Sequence, residues 1–177
     1  IKGPRGSTVV LEVIRPGEEE VLTIEVVRDT IEIPSVELLS KPSDSILIIG
    51  LYAFLEHTAK DFSRLLQQEL TPTTAWVILD LRDNGGGVLE AAKDVLSEFV
   101  EKEKPLVVIR GKNEQDEVLY SAWRRDVAPP LVVLINENSA SASEIVAGTL
   151  QDYTLATIVW KQSYGKGSVQ RAITLSD

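Results

Sequence analysis

Apolar and polar residues alternate over the first thirty or so positions in the manner of strands: Thr8-Val9-Val10-Leu11-Glu12-Val13-Ile14-Arg15, a Pro16-Gly17 break, then Val21-Leu22-Thr23-Ile24-Glu25-Val26-Val27-Arg28. A period of two on both sides of a Pro-Gly turn predicts a β-hairpin. Two strands alone are at best marginal in water, so this pair either packs on the main body or finds partners upstream of Ile1. Residues 33–45, rich in Pro, Ser and Lys, read as a linker.

From Ser45 the pattern changes to strands alternating with helices. Residues 46–54 read as a strand, and 57–70 as a helix with Phe62, Leu65, Leu66 and Leu70 on one face. A strand at 76–81 runs into Asp83-Asn84-Gly85-Gly86-Gly87, followed by a helix at 89–100. Further strands are expected at 106–110, around 117–123, at 131–135 and at 156–160, with a helix after Ser141. Strands spaced by helices imply an α/β fold with a mainly parallel sheet and right-handed crossovers.

The stretch that organises the chain is Leu131-Val132-Val133-Leu134-Ile135-Asn136-Glu137-Asn138-Ser139-Ala140-Ser141-Ala142-Ser143-Glu144. Its uninterrupted apolar run predicts a strand covered on both faces, which breaks into a polar turn and opens a helix with Ile145, Val146 and Leu150 inward. Such a corner aims N–H groups and the positive end of the helix dipole at whatever sits above it. Of the three serines, only Ser141 has a carboxylate three residues later, Glu144, at the spacing of a capping box. That makes Ser141 the helix N-cap, and a hydroxyl so placed is also a candidate nucleophile.

Composition narrows the chemistry. At 177 residues, 44% hydrophobic and 25% charged, the chain has room for one good-sized core and a small appendage. A net charge of −9 argues against a nucleic-acid partner. Cysteine is absent, which removes a thiol nucleophile and a thiolate metal site, and no metal or other cofactor is expected. With no initiator Met, and first residues that read as the end of a helix, the sequence is expected to be part of a longer chain.

In parallel α/β sheets, sites form outside the carboxyl ends of the strands. Three loops meet that description: Asp80-Leu81-Arg82-Asp83-Asn84-Gly85-Gly86-Gly87, the serine turn, and Gln162-Ser163-Tyr164-Gly165-Lys166-Gly167-Ser168. Glycines let main-chain N–H groups approach a bound oxygen, although a glycine run is also an ordinary tight turn. A serine nucleophile needs a base. The single histidine, His57, lies after a different strand and leaves a Ser-His-Asp arrangement open. Lys166, between two glycines, is the other candidate, provided burial or a neighbouring cation keeps its amine neutral. Gln170, four positions on, can orient that amine if the chain bends near Gly167.

Taken together, Ser139-Ala140-Ser141-Ala142-Ser143-Glu144-Ile145, Gly165-Lys166-Gly167-Ser168-Val169-Gln170 and the Asp80–Gly87 loop resemble the C-terminal processing peptidases, or tail-specific proteases. The resemblance implies a crotonase-like α/β core over 46–177, preceded at 1–32 by the C-terminal part of a PDZ domain, with 33–45 as the linker. It implies a serine endopeptidase that cleaves proteins near their C-termini: Ser141 as nucleophile, Lys166 as base, Gln170 supporting the lysine. The oxyanion hole would combine the Ala142 N–H with that of Gly86 or Gly87. Protein or peptide substrates held by their C-terminal tails, no nucleic acid, and an extracytoplasmic location follow from the same resemblance; an oligomer is compatible with it. Asn138 and Gly85 depart from the family's usual residues. The alternatives are a non-catalytic PDZ/crotonase-like peptide-binding module and an acyl-thioester enzyme of the crotonase kind.

Overall fold

The structure is a computed structural model that describes residues 1–18, 20–30, 34–111, 115–123 and 129–170. The chain divides into two compact units, Ile1–Ile33 and Pro34–Asp177. In the first, β1 (Thr8–Val13) and β2 (Leu22–Val27) form the expected hairpin, in antiparallel register from Thr8↔Val27 to Val13↔Leu22. The opening residues are not the helix end that the sequence suggested. Gly3, Pro4 and Gly6 interrupt any helical run, and the Arg28 guanidinium pins the segment by donating to the Ile1 carbonyl (2.8 Å) and the Ser7 hydroxyl (2.8 Å).

The second unit runs β3 (Val36–Ser43), β4 (Ile46–Leu51), α1 (Thr58–Glu69), β5 (Trp76–Asp80), α2 (Leu89–Leu96), β6 (Pro105–Ile109), β7 (Glu117–Tyr120), β8 (Leu131–Ile135), α3 (Ala142–Asp152) and β9 (Ala156–Trp160). Its central sheet has the order β3-β4-β5-β8-β9. The last four strands are parallel, and β3 adds an antiparallel edge. Residues 33–45 are therefore not a free linker: most of them form β3, whose register against β4 shifts twice. Lys41 and Pro42 belong to this strand and are tolerated because an edge strand leaves one side of its backbone unpaired. Among the described residues β6 and β7 pair only with each other, in a separate antiparallel ribbon.

Alternation within the strands fixes the core. Leu47, Ile49, Leu51, Val77, Leu79, Leu131 and Val133 are buried and pack with Phe62 and Leu66 of α1, Val95 and Leu96 of α2, and Val146 and Leu150 of α3. Their sequence neighbours Ile46, Ile48, Ile78, Val132 and Leu134 are only half-buried. The prediction that 131–135 is covered on both faces thus holds for one face alone, the one that meets the helices. Among the described residues no helix is long and apolar enough to cross a membrane.

Register decides where the loops fall. Gly50 lies opposite Asp80, Asp80 opposite Leu134, and Leu134 opposite Val159. Parallel strands aligned in this way discharge the glycine loop, the serine turn and the lysine loop at one edge of the sheet.

Candidate active site

The corner between β8 and α3 is backbone-strained. Ser141 stands at the helix N-cap with φ +56° and ψ −115°. A residue with a Cβ enters that region only when its surroundings hold it there, and such outliers gather at functional sites. Glu144 accepts the Ser141 N–H at 2.8 Å, as its spacing predicts. The reciprocal contact from the Ser141 side chain to the Glu144 backbone is present without a capping hydrogen bond, and the Ser141 hydroxyl makes no other hydrogen bond among the described residues.

Its two neighbours are committed. Ser139 and Ser143 are fully buried. The Ser139 hydroxyl donates to the Leu81 carbonyl (2.8 Å) and the Ser143 hydroxyl to the Asn84 carbonyl (2.8 Å). Both therefore staple the corner to the glycine loop, and Ser141 is left as the one with a half-exposed, available hydroxyl.

Asn84 is the buried keystone of that loop. Its side-chain amide donates to the Leu51 carbonyl (2.6 Å) and accepts the Gly86 N–H (2.9 Å), while its own carbonyl takes the Ala140 N–H (3.1 Å). Asp83, at φ +62°, accepts the side-chain amides of Asn136 (2.9 Å) and Asn138 (2.8 Å). Those bonds, the Asn138 one foremost, hold its carboxyl below the usual range. Asn138 is thus part of the turn's scaffold.

Gly86 shows why a side chain is not allowed there. At φ +97° a Cβ would come within 2.7 Å of the Ala140 oxygen, 2.8 Å of Ser141 Cβ and 2.9 Å of the Ala142 nitrogen. Gly87 lies as closely on Phe54, with which it forms an isolated bridge. The Gly86 N–H is taken by Asn84, whereas the N–H groups of Gly87 and Ala142 make no hydrogen bond among the described residues.

The lysine loop reaches the corner through its backbone. Lys166 N–H donates to Glu144 Oε2 (2.9 Å), Gly165 N–H to Oε1 (2.6 Å) and the Ser163 hydroxyl to Oε1 (2.7 Å). Tyr164 N–H donates to the Ser139 carbonyl (3.0 Å). Burial opposes ionisation of Glu144, but the Ser163 hydroxyl and the N–H groups of Gly165, Ser141 and Lys166 together outweigh it and hold the carboxyl below its ordinary range. Gly165 carries the loop's positive φ, +84°, and Gly167 is not among the positive-φ glycines.

The lysine side chain is another matter. Lys166 is exposed, and its amine makes no hydrogen bond or ion pair among the described residues, so the shielding expected from its glycine neighbours is missing. The loop turns its backbone, not the amine, toward Glu144. Gln170 is exposed as well and makes no hydrogen bond to Lys166. His57 precedes α1 with Nε2 3.8 Å from an Asp61 carboxylate oxygen, and no hydrogen bond joins it to the serine turn among the described residues. Sequence reasoning saw Glu144 only as a capping residue and missed Asn84, whose place between an acid and a glycine run was the available signal.

Fold and corner define a class: an α/β protein whose mostly parallel sheet mounts a strained serine where a strand turns into a helix, the local geometry of nucleophile elbows. The chain belongs to peptidase family S41, whose model matches residues 45–177. It is 33% identical over 179 residues to the carboxy-terminal processing protease CtpB of Bacillus subtilis (strain 168), aligning all of this chain with 37% of that protein. It is 39% identical over 183 residues to the carboxy-terminal-processing protease of Bartonella bacilliformis, again over the whole chain and 42% of the relative. The solved photosystem II D1 C-terminal processing protease superposes with a TM-score of 0.66 at 28% identity, covering 98% of this chain and 48% of that one. The chain spans well under half the length of the two curated relatives.

Proposed function

We propose that this chain carries the catalytic centre of a serine endopeptidase that cleaves proteins near their C-termini. The observation that carries the reading is the uncommitted Ser141 hydroxyl, held at a left-handed backbone position while both neighbouring serines are tied down. Family membership and relatives named as carboxy-terminal processing proteases support the substrate class.

In this mechanism Ser141 Oγ attacks the scissile carbonyl and its proton passes to a neutral Lys166 amine. The tetrahedral oxyanion takes hydrogen bonds from the Ala142 N–H and from Gly87, since the Gly86 N–H is held by Asn84; donors of this kind are each typically worth about 3 to 4 kcal/mol. Collapse expels the amine product, which takes the proton from Lys166. Water, deprotonated by the same lysine, then hydrolyses the acyl-enzyme. The lysine must swing in from solvent to do this, with Gln170 orienting it, and a bound peptide supplies the cover that disfavours its charged form. The core is read as crotonase-like, residues 1–32 as the end of a PDZ domain that presents C-terminal tails, and the protein as extracytoplasmic.

The exposed Lys166 amine favours a second reading, a non-catalytic module that binds peptides on the same scaffold. Cleavage of a tailed protein substrate, followed by mass spectrometry in the full-length protein, separates the two. Ser141→Ala and Lys166→Ala are each expected to lower turnover by at least about 1000-fold with folding intact. Wild-type turnover by either variant rejects the dyad, and tail binding without any cleavage by the parent establishes the binding module.

A further inference from the structure

Capping explains only a quarter of what the Glu144 carboxylate does. A capping glutamate needs one bond, to the N–H of the N-cap residue. Glu144 makes that bond to Ser141 and three more, all to the segment Ser163–Lys166 that follows β9. A carboxylate offers about four acceptor sites, so this one is saturated. Its bonds are charge-assisted, about twice as strong as neutral ones.

The geometry is specific to the dyad positions. A single oxygen, Oε2, accepts the Ser141 N–H at 2.8 Å and the Lys166 N–H at 2.9 Å. The two backbone nitrogens can therefore be no farther apart than those two lengths laid end to end, a span that a lysine side chain on its flexible four-carbon stem readily crosses. Beyond Trp160 the loop's other backbone ties among the described residues are Lys161 N–H to the Ile135 carbonyl (3.2 Å) and Tyr164 N–H to the Ser139 carbonyl (3.0 Å). Neither reaches Lys166. The Lys161–Glu137 ion pair (2.6 Å) anchors only the exposed start of the loop.

We propose that Glu144 is the positioning residue of this site: its carboxylate clasps the loop carrying Lys166 to the helix start carrying Ser141, and so sets the distance over which the two side chains meet. The inference rests on the Ser141–Lys166 reading for its catalytic consequence, and on the hydrogen-bond geometry alone for the clasp.

Glu144→Gln separates clasp from cap. Glutamine keeps one oxygen for the Ser141 N–H, the same oxygen that holds the Lys166 N–H, and so preserves the helix start, but it sets an NH2 donor against the Gly165 N–H and removes the charge that strengthens the remaining bonds. In the full-length protein, Glu144→Gln is expected to lower kcat by about 100-fold, the cost of a misplacement near 1 Å, with KM within a few-fold. Labelling of Ser141 by a fluorophosphonate probe slows in parallel, and the melting temperature falls less than in Glu144→Ala. Hydrogen exchange at the Gly165 amide accelerates at least about tenfold. Glu144→Ala loses cap and clasp together and lowers stability too. Wild-type kcat in Glu144→Gln with Ser141→Ala and Lys166→Ala inactive overturns the positioning role while leaving the dyad standing. An active Lys166→Ala removes the dyad, and the clasp is then judged on exchange: unchanged protection at Gly165 in Glu144→Gln overturns it.

Discussion

Asn84→Ala tests whether the glycine loop is held by a buried side chain or merely by its own turn. The substitution deletes two hydrogen bonds, to the Leu51 carbonyl (2.6 Å) and from the Gly86 N–H (2.9 Å), at a residue with no solvent exposure. It leaves the Asn84 carbonyl, and so the staples from Ala140 N–H and Ser143, in place. Each of the two stranded partners costs about 1 to 3 kcal/mol, so the loss is about 2 to 6 kcal/mol. For a unit of this size that lowers Tm by about 4 to 24 °C, read by circular dichroism. Asn84→Asp sharpens the test. One carboxylate oxygen can accept the Gly86 N–H, but the other faces the Leu51 carbonyl with no proton to offer. Burial and that repulsion raise the aspartate's folded pKa above its unfolded value of about 3.9, so the folded state holds more protons and the deficit relative to wild type grows as pH rises. Its deficit is therefore expected to be larger at pH 7 than at pH 4.5. A Tm for Asn84→Ala within about 2 °C of wild type, or a deficit in Asn84→Asp that ignores pH, refutes the keystone role.

Three other outcomes follow from the same corner. Ser141→Gly removes a Cβ from a left-handed position; relief of about 1 to 3 kcal/mol exceeds the entropic cost of glycine, about 0.5 to 1 kcal/mol, so calorimetry should find a raised Tm in an inactive protein. A lowered Tm means that the corner is not strained. Ser139→Ala and Ser143→Ala each delete a buried hydrogen bond to a carbonyl that keeps a backbone N–H donor, worth about 0.5 to 1.5 kcal/mol in denaturant titrations, while cleavage per folded molecule stays within a few-fold; loss of activity in either folded variant reassigns the nucleophile. Glu144 has a folded pKa below its unfolded value of about 4.3, so its contribution is complete above that pH and is lost as pH falls through the folded pKa. The stability difference between wild type and Glu144→Gln should therefore shrink on acidification below about pH 4, and a difference constant down to pH 2 contradicts the clasp.

How much of this the chain announces in advance depends on how local each cause is. Hairpin, helices and parallel strands were legible because periodicity is a property of neighbouring residues, and β8 next to β9 followed from the intervening helix. β3 was not, because Lys41, Pro42 and Ser43 carry the polarity of a connector and only pairing with β4 makes them a strand. The half-exposure of Val132 and Leu134 was hidden for the complementary reason: an apolar run records what the residues tolerate, not how many layers are stacked on them.

The site divides along the same line. Ser141 could be chosen from Glu144 three residues away, yet what separates it from Ser139 and Ser143 is decided by the Leu81 and Asn84 carbonyls, more than fifty positions upstream. The triple bond from Glu144 to 163–166 likewise has no local signature, since the capping spacing accounts for the residue already. Lys166 is the instructive case. Its loop is fixed through main-chain N–H groups, which a fold can hold rigidly, whereas its amine ends a stem carrying about 2 kcal/mol of rotamer entropy and stands in water. Drawing it onto Ser141 must meet that entropy and the loss of its hydration, and neither is recovered until something covers the cleft. In the proposed mechanism, a serine strained in advance and a base recruited only by cover make attack conditional on a bound chain, which is the selectivity a peptidase needs against stray nucleophilic chemistry.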